Sequence, residues 1–181
     1  MTPTASSIAV FGSSNMDVTA YMERLPKPGE TLHGKDYKLG LGGKGANQAI
    51  ACARAGGVAT RMLVAMGNDA FAVPLEASLR EAQVQLHLIR AADQPTGTAF
   101  ICVSDDGENA ITVAPGANLS LQAQHLPRLD GASHLLMQLE IPLQAVTAYA
   151  QAAHRQGVKV VLNAAPVQPL SAELLQKIDI L

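Results

Sequence analysis

The sequence predicts an α/β fold in which helices cover both faces of a mostly parallel β-sheet, with a second, small β-sheet beside it. Three features lead to this prediction. Short apolar runs typical of buried strands alternate with helical segments along the chain. The connections between them are short, as in sheets built from strand–helix–strand units. Two other segments alternate polar and apolar residues, which is typical of strands with one face in water.

The elements of the main sheet follow in chain order. Residues 8–12 form an apolar run that ends in Gly12, and residues 46–55 predict a helix that stops at Gly56-Gly57. The further predicted strands are 60–66, 135–139 and 158–162, and the further predicted helices are 74–83, 142–156 and 171–176. Residues 178–181 begin another apolar strand. Because natural domains seldom end inside a buried strand, we expect a truncated chain.

The small sheet is predicted from residues that break this alternation. Residues 18–21 and 31–37 are candidate solvated antiparallel strands, separated by Pro26-Lys-Pro-Gly29. Residues 98–103 and 110–113 form a candidate hairpin around Asp105-Asp-Gly107. Segments of about 14–39 and 97–114 would together form a lid over a cleft.

Composition restricts the class of function. The chain has 181 residues, 48% of them hydrophobic and 15% charged, with a net charge of −2, so one compact domain is expected. Without a basic block, nucleic acid and membranes are poor candidates for partners. No apolar run is long enough to span a bilayer, and no secretory signal is recognisable, so we expect a cytoplasmic protein. The histidines form no ligand pair, so no metal site is predicted from the sequence.

The densest motif is the glycine-rich run from Gly40 to Ala49, which opens onto a helix. Such a run lets a ligand approach bare backbone N–H groups at the positive end of the helix. The alternative is a tight turn that only packs the helix on the sheet. The run formally satisfies the dinucleotide fingerprint, but polar residues rather than a buried strand precede it. A Walker loop is excluded because Gly45, not Ser or Thr, follows Lys44.

Polar side chains follow two predicted strands. Asn15 and Asp17 come after the first strand, and Glu140 after the strand at 135–139. Because ligands of open α/β sheets bind outside the carboxyl ends of the strands, these groups suit a ligand with paired hydroxyls. The alternatives are an Asx-turn for the first two residues and a solvated helix-start acid for Glu140.

Taken in chain order, the motifs of this sequence resemble those of the ribokinase family of carbohydrate kinases. The matching segments are Gly12-Ser-Ser-Asn-Met-Asp17, Pro28-Gly-Glu-Thr31, Gly42-Gly-Lys-Gly-Ala-Asn-Gln-Ala49, Gly67-Asn-Asp-Ala-Phe71, Thr96-Gly-Thr-Ala99, Gly107-Glu-Asn109, Pro115-Gly-Ala-Asn118, Leu136-Met-Gln-Leu-Glu140 and Asn163-Ala-Ala-Pro166. One departure is Ala72, where the family usually has Gly. The resemblance implies a Rossmann-like body with a β-sheet lid, and ATP-dependent phosphorylation of D-ribose to D-ribose 5-phosphate.

The resemblance also implies roles for individual residues. The substrate-binding set would be Asn15, Met16, Asp17, Gly43, Lys44, Gly45, Ala46, Asn47 and Glu140. Lys44 would also stabilise the transferred phosphate. Ala99, Ile101 and Val113 would cover the sugar from the lid. Two lids would associate into a homodimer, with Val18, Ala20, Phe100 and Cys102 as the residues that face the partner.

The family's remaining catalytic parts are expected beyond Leu181. No Gly-x-Gly-Asp segment occurs in the chain, so the catalytic base, the anion hole, most of the ATP pocket and the Mg²⁺ and K⁺ sites would be missing. We therefore expect the 181 residues alone to be inactive. Two alternatives remain open, which are a related sugar or nucleoside kinase and a non-catalytic sugar-binding module.

Overall fold

A computed structural model describes residues 6–181, which form nine β-strands and four α-helices. The strands are β1 (Ser7–Phe11), β2 (Asn15–Met22), β3 (Asp36–Gly42), β4 (Ala59–Met66), β5 (Gln85–Arg90), β6 (Gly97–Ser104), β7 (Asn109–Ala114), β8 (Ala132–Met137) and β9 (Lys159–Leu162). The helices are α1 (Lys44–Gly56), α2 (Ala72–Glu81), α3 (Leu143–Arg155) and α4 (Ala172–Leu175). In this part of the chain, every helix is too short or too polar to cross a membrane.

The main sheet has five parallel strands in the order β5-β4-β1-β8-β9. β1 is central and is followed on one side by β4 and β5 and on the other by β8 and β9. The direction of winding therefore reverses between β1 and β8. In open α/β sheets the crevice at such a switch point, outside the carboxyl ends of the strands, is the usual ligand site.

Helices cover both faces of this sheet, which confirms the predicted fold class. One face packs against α1 and α2 through a core that includes Val10, Met62 and Leu75. The other face packs against α3 and α4 through a core that includes Phe11, Tyr149 and Leu174. The Phe11 and Tyr149 rings meet edge to face, with centroids 5.4 Å apart.

The second sheet has four strands in the order β3-β2-β6-β7. β2 pairs antiparallel with β3 and parallel with β6, and β6 and β7 form the predicted hairpin. β2 begins only three residues after β1 ends. The small sheet is therefore attached directly at the carboxyl end of the central strand.

The predicted strand at 31–37 is wrong, because the strand is β3, Asp36–Gly42. Its glycines were interpreted as loop residues, but Gly40 lies opposite Asp17 in the antiparallel register. A Cβ at Gly42 would lie 2.3 Å from the Asp17 carboxylate. Glycine is therefore required in this strand by a close approach, which is its usual meaning inside a sheet. The first segment of the small sheet consequently extends beyond residue 39.

Three other elements of the main sheet differ from the predictions. β5 was not predicted, since its alternation of exposed and half-buried residues is that of an edge strand. β8 begins at Ala132 rather than 135 and ends before Gln138. The predicted strand at 178–181 is limited to one parallel bridge between Val161 and Ile180. The predicted N-cap of α4 is confirmed, because the Ser171 hydroxyl accepts a hydrogen bond from the Leu174 N–H at 3.2 Å.

Candidate functional site

The candidate site lies where β1 and β8 end, at the switch point of the main sheet. Gly12, Ser13 and Ser14 carry the chain from β1 into β2 and are buried. The turn after β8 brings Glu140 to the same edge, because β8 pairs with β1 in parallel. The first turn of α1 packs on both segments, since the Ala46 N–H donates to the Ser13 carbonyl at 2.8 Å.

Two glycines make this close packing possible. Gly43 precedes α1 with a φ of 92°, a conformation that side chains disfavour. A Cβ at Gly45 would lie 2.6 Å from the Gly12 carbonyl carbon and from the Ser13 nitrogen. Any residue larger than glycine at position 43 or 45 would push α1 away from the end of β1. The two interpretations of this run, as a ligand loop and as a packing turn, are therefore not exclusive, because the packing of these glycines places Lys44 at the edge of the site.

Glu140 binds the start of α1 and the turn after β1. Its Oε2 accepts hydrogen bonds from the Ser13 hydroxyl at 2.5 Å and from the Lys44 backbone N–H at 2.9 Å. Its Oε1 lies 3.2 Å from Lys44 Nζ, and the Glu140 side chain is 15% exposed. A carboxylate at this position also compensates the positive end of the helix. The interpretation as a solvated acid is therefore wrong.

Asp17 is half-buried on β2, facing Gly42 of β3. Burial raises the pKa of its carboxyl above the usual value, nearby Glu140 raises it further, and Lys44 partly lowers it. Within residues 6–181 this carboxylate accepts no hydrogen bond from the protein, so the Asx-turn alternative does not apply to it. Its oxygens are left to accept hydrogen bonds from a ligand.

Asn15 lies two residues before Asp17, on the same face of β2. Its Oδ1 accepts a hydrogen bond from Asn118 Nδ2 at 2.8 Å, so Asn15 is bound by a distant residue rather than by its own turn. Sequence reasoning included Asn118 in the motif Pro115-Gly-Ala-Asn118 but gave it no role. No local pattern could have indicated this contact, because the two residues lie 103 positions apart in the chain.

The remaining sequence-predicted residues take two kinds of position. Met16 and Ala46 are buried in the core beside α1, while Asn47 is exposed on its first turn. On the small sheet Asp17 pairs with Ala99, which in turn pairs with Val113. These three residues therefore share one face, and Ile101 lies two residues further along that face.

A cleft of about 470 Å³ separates the root of the small sheet from the main body. Its walls include Lys44 and Glu140 from the body and Val113, Pro115 and Leu119 from the lid side. The cleft is thus apolar on one side and carries an ammonium and a carboxylate on the other. This arrangement suits a small ligand with an apolar face and several hydroxyl groups.

The donor set does not fit a metal ion. Among the described residues, no group of three or more His, Cys, Asp or Glu side chains is placed to hold one. We therefore assign no Mg²⁺ or K⁺ ligand to this part of the chain.

Comparisons with known proteins agree with this geometry. The model of the pfkB family of carbohydrate kinases matches residues 5–181. The ribokinase of Haemophilus influenzae is 41% identical over 180 residues, covering 97% of this chain and 58% of that protein. The ribokinase of Schizosaccharomyces pombe is 38% identical, covering 93% of this chain and 56% of that protein. The chain therefore spans little more than half the length of these relatives.

Solved structures of ribokinases are also similar to this chain. The structure of Arabidopsis thaliana ribokinase with ribose and ATP superposes with a TM-score of 0.85 at 31% identity, over 97% of this chain and 58% of that one. Cryptococcus neoformans ribokinase with ADP superposes with a TM-score of 0.81 at 36% identity, over 91% of this chain and 53% of that one.

Proposed function

Because the chain belongs to the pfkB family of carbohydrate kinases, we propose that the protein transfers a phosphoryl group from ATP to the primary hydroxyl of D-ribose and forms D-ribose 5-phosphate. The observation that carries the proposal is the convergence of Asn15, Asp17, Lys44 and Glu140 at the switch point, beside a cleft under a small sheet. Two relatives of the chain, at 38% and 41% identity, are ribokinases.

The sugar would be held by groups that differ in hydrogen-bonding character. The Asp17 carboxylate can accept the protons of two hydroxyls, and the Asn15 amide can donate to a hydroxyl oxygen. Glu140 already accepts hydrogen bonds from the Ser13 hydroxyl and from the Lys44 backbone N–H, and its other oxygen forms an ion pair with the Lys44 ammonium. Since a carboxylate offers about four acceptor positions, Glu140 retains capacity for one sugar hydroxyl.

Three lid residues would cover the apolar face of the sugar. Ala99 and Val113 lie beside each other in the register and on the same face as Asp17, and Ile101 continues that face. Covering the sugar in this way excludes water, which strengthens the polar contacts beneath it.

Lys44 would act on the phosphoryl group. Its ammonium is part-exposed at the cleft and lies 3.2 Å from Glu140 Oε1. A fixed positive charge here can neutralise the negative charge that develops as the phosphoryl group is transferred. Glu140 would then hold the ammonium in place and limit its motion.

Transfer also needs a base for the sugar hydroxyl. Asp17 and Glu140 are assigned to hydroxyl binding, and the family's Gly-Ala-Gly-Asp segment does not occur in residues 1–181. We infer that these residues alone bind the sugar weakly and do not transfer phosphate. ATP is the proposed donor, and the cytoplasm is the compartment we expect.

We also propose that two lids associate into a homodimer. On the face opposite Asp17, Val18 pairs with Phe100 and Leu39, and Ala20 pairs with Cys102 and Tyr37. The large side chains of this face are strongly exposed, with Tyr37 at 67%, Leu39 at 56% and Phe100 at 51%. A contiguous apolar face of this kind is a common interaction surface.

The test uses the protein as its gene encodes it, with ATP and a panel of pentoses, hexoses and nucleosides. We expect the highest kcat/KM for D-ribose and a product phosphorylated at the primary hydroxyl, identified by ³¹P NMR. A preference for a hexose or a nucleoside would contradict the substrate assignment. The 181-residue chain is assayed beside it, and ribose-dependent turnover within tenfold of the encoded protein would refute the inferred absence of the base.

A further inference from the structure

We propose that Asn118 is a positioning residue that fixes the direction of the Asn15 amide, so that Asn15 presents its Nδ2 group as a hydrogen-bond donor to the sugar. This inference rests on the proposed function. Asn118 lies in a 3-10 helix, Gly116–Ser120, directly after the lid hairpin. Only 1% of its surface is exposed, so it acts on the ligand through another residue.

The direction of the Asn118 amide follows from a backbone group. The Ser14 N–H can only donate, and it lies 3.0 Å from Asn118 Oδ1, so this atom must be the oxygen. Nδ2 therefore occupies the other position, where it donates to the Ser14 carbonyl at 3.3 Å. Both atoms of the Asn118 amide are thus determined by the main chain of the turn between β1 and β2.

The direction of the Asn15 amide follows in turn. Asn118 Nδ2 also donates to an Asn15 side-chain atom at 2.8 Å, and an atom that accepts this bond must be Oδ1. Asn15 Nδ2 then points away from Asn118, and the described residues offer it no acceptor. Since Asn15 shares its face of β2 with Asp17, the two residues present a donor and an acceptor side by side.

Packing keeps the two side chains together. Asn15 is 3% exposed and Asn118 1% exposed. Both amides lie over Gly97, where a Cβ would be 2.2 Å from Asn118 Nδ2 and 2.3 Å from Asn15 Oδ1. Gly97 is therefore needed to make room for the pair. A buried pair with this little space cannot move apart, so its hydrogen bonds decide the direction of each amide, which is what directional recognition of a hydroxyl requires.

Asn15 and Asp17 in this arrangement bind two sugar hydroxyls in opposite ways, one as an acceptor and one as a donor of a proton. A hydroxyl at Asp17 donates its proton to the carboxylate, while a hydroxyl at Asn15 accepts a proton from Nδ2. If the Asn15 amide were reversed, its oxygen would stand beside the Asp17 carboxylate as a second acceptor. A hydroxyl between them has one proton and could satisfy only one of these groups.

The variant Asn118→Asp tests this idea with almost no change in shape. The new carboxylate can still accept from the Ser14 N–H, but its second oxygen would face Asn15 Oδ1. When this carboxyl is ionised, the Asn15 amide should therefore reverse and donate Nδ2 to it; when the carboxyl is protonated, its O–H can donate to Asn15 Oδ1 and keep the wild-type direction, so the effect on KM should grow as pH rises from 6 to 9. In the encoded protein we expect KM for ribose to rise about tenfold or more. We expect kcat and KM for ATP to stay within about threefold, because Asn118 touches neither reacting group.

Asn118→Ala should have a smaller effect on KM, since Asn15 then loses its partner but is free to adopt either direction. The matched control is Asn68→Asp, which makes the same change of charge at an exposed position and should leave KM for ribose unchanged. A KM for ribose in Asn118→Asp that stays unaltered up to pH 9, or an equal rise in KM for ribose and for ATP, would overturn the proposal.

A spectroscopic measurement tests the direction of the amide without relying on the substrate or on a variant that folds. In the ¹⁵N-labelled wild-type protein, the Asn118 side-chain NH₂ signals should exchange slowly with solvent. The Asn15 NH₂ signals should exchange faster and shift when ribose is added. Slow exchange of the Asn15 NH₂ group, with no response to any accepted sugar, would refute the positioning role. If another sugar proves to be the substrate, the exchange rates still decide the direction of the amide, while the substrate panel alone decides the proposed function.

Discussion

Replacing Asp17 with Asn removes the charge of the proposed sugar anchor while keeping its shape. The carboxylate is half-buried, and its pKa is raised by burial and by Glu140. The protein therefore holds this charge at some cost in the absence of ligand. Asp17→Asn should weaken sugar binding without weakening the fold, which separates it from an ordinary destabilising mutation.

The magnitude follows from the hydrogen bonds. A bond to a charged group contributes about 1.5–3 kcal/mol and a neutral one about 0.5–1.5 kcal/mol. With two hydroxyls on the carboxylate, the loss is about 2–3 kcal/mol before relief of the repulsion between Asp17 and Glu140 is subtracted. Because about 1.4 kcal/mol corresponds to tenfold in affinity, we expect KM for ribose to rise about 10- to 100-fold.

The pH dependence gives a second readout. The ionised carboxylate binds the sugar, so in the wild type KM for ribose should rise as pH falls through the raised pKa of Asp17, beginning above the pH at which an ordinary Asp carboxyl titrates. Asp17→Asn should lack this limb of the profile.

The stability of Asp17→Asn should not fall together with its sugar binding. Because the folded-state pKa of Asp17 is raised, this group destabilises the fold as pH rises through its unfolded and folded pKa values. At neutral pH the Asn variant should therefore have an equal or higher Tm. The assay is ATP turnover against ribose concentration from pH 5 to 8, with thermal unfolding of the same samples. An unchanged KM, or a Tm that falls together with binding, would refute the reasoning.

Three further predictions concern other parts of the molecule. Lys44→Ala should lower kcat more than it raises KM for ribose, because the charge it neutralises develops mainly during transfer; steady-state kinetics that show only a KM effect would make Lys44 a sugar ligand instead. Tyr149→Phe should lower Tm, because the hydroxyl that donates to the Gln122 carbonyl at 2.6 Å is lost, at a cost of about 0.5–1.5 kcal/mol, since that carbonyl still accepts from the His125 N–H. Burial raises the pKa of Tyr149 to about 12, so the wild type should lose unfolding free energy as pH rises from 10 to 12, a loss absent from the variant; parallel profiles would contradict this. Phe100→Asp should convert a dimer into monomers by light scattering, whereas Val73→Asp, at another exposed apolar residue, should not; a Phe100→Asp dimer would remove this face from the interface.

The body of the fold could be predicted from the sequence because its signals are local. Residues 8–12 and 60–66 are apolar runs bounded by turns, and a parallel sheet buries such runs on both faces. β5 was missed because it is an edge strand with exposed Gln85 and His87, which resembles a polar connection. Its role becomes visible only through pairing with β4.

The candidate site was predicted less completely, for a physical reason. Asp17 and Glu140 could be identified because each is an acid at the end of a strand. The contacts of Glu140 with Ser13 and of Asn118 with Asn15 join residues more than a hundred positions apart. No local pattern encodes such pairs. The strand that ends at Gly42 was misplaced for a related reason, since only the Asp17 side chain on the facing strand explains the glycine at that position.

The position of β2 inside the small sheet has a consequence for amide exchange. Among residues 6–181, β2 is hydrogen-bonded on both edges, to β3 and to β6, and β6 likewise to β2 and β7, whereas β3 and β7 each pair on one edge only. In a hydrogen–deuterium experiment the outer strands should therefore exchange first, and the inner strands β2 and β6 last. Since β2 also carries Asn15 and Asp17, the sugar-binding residues would stay in place while the rims of the lid open and close around them. The binding residues would then already be in position when the sugar arrives.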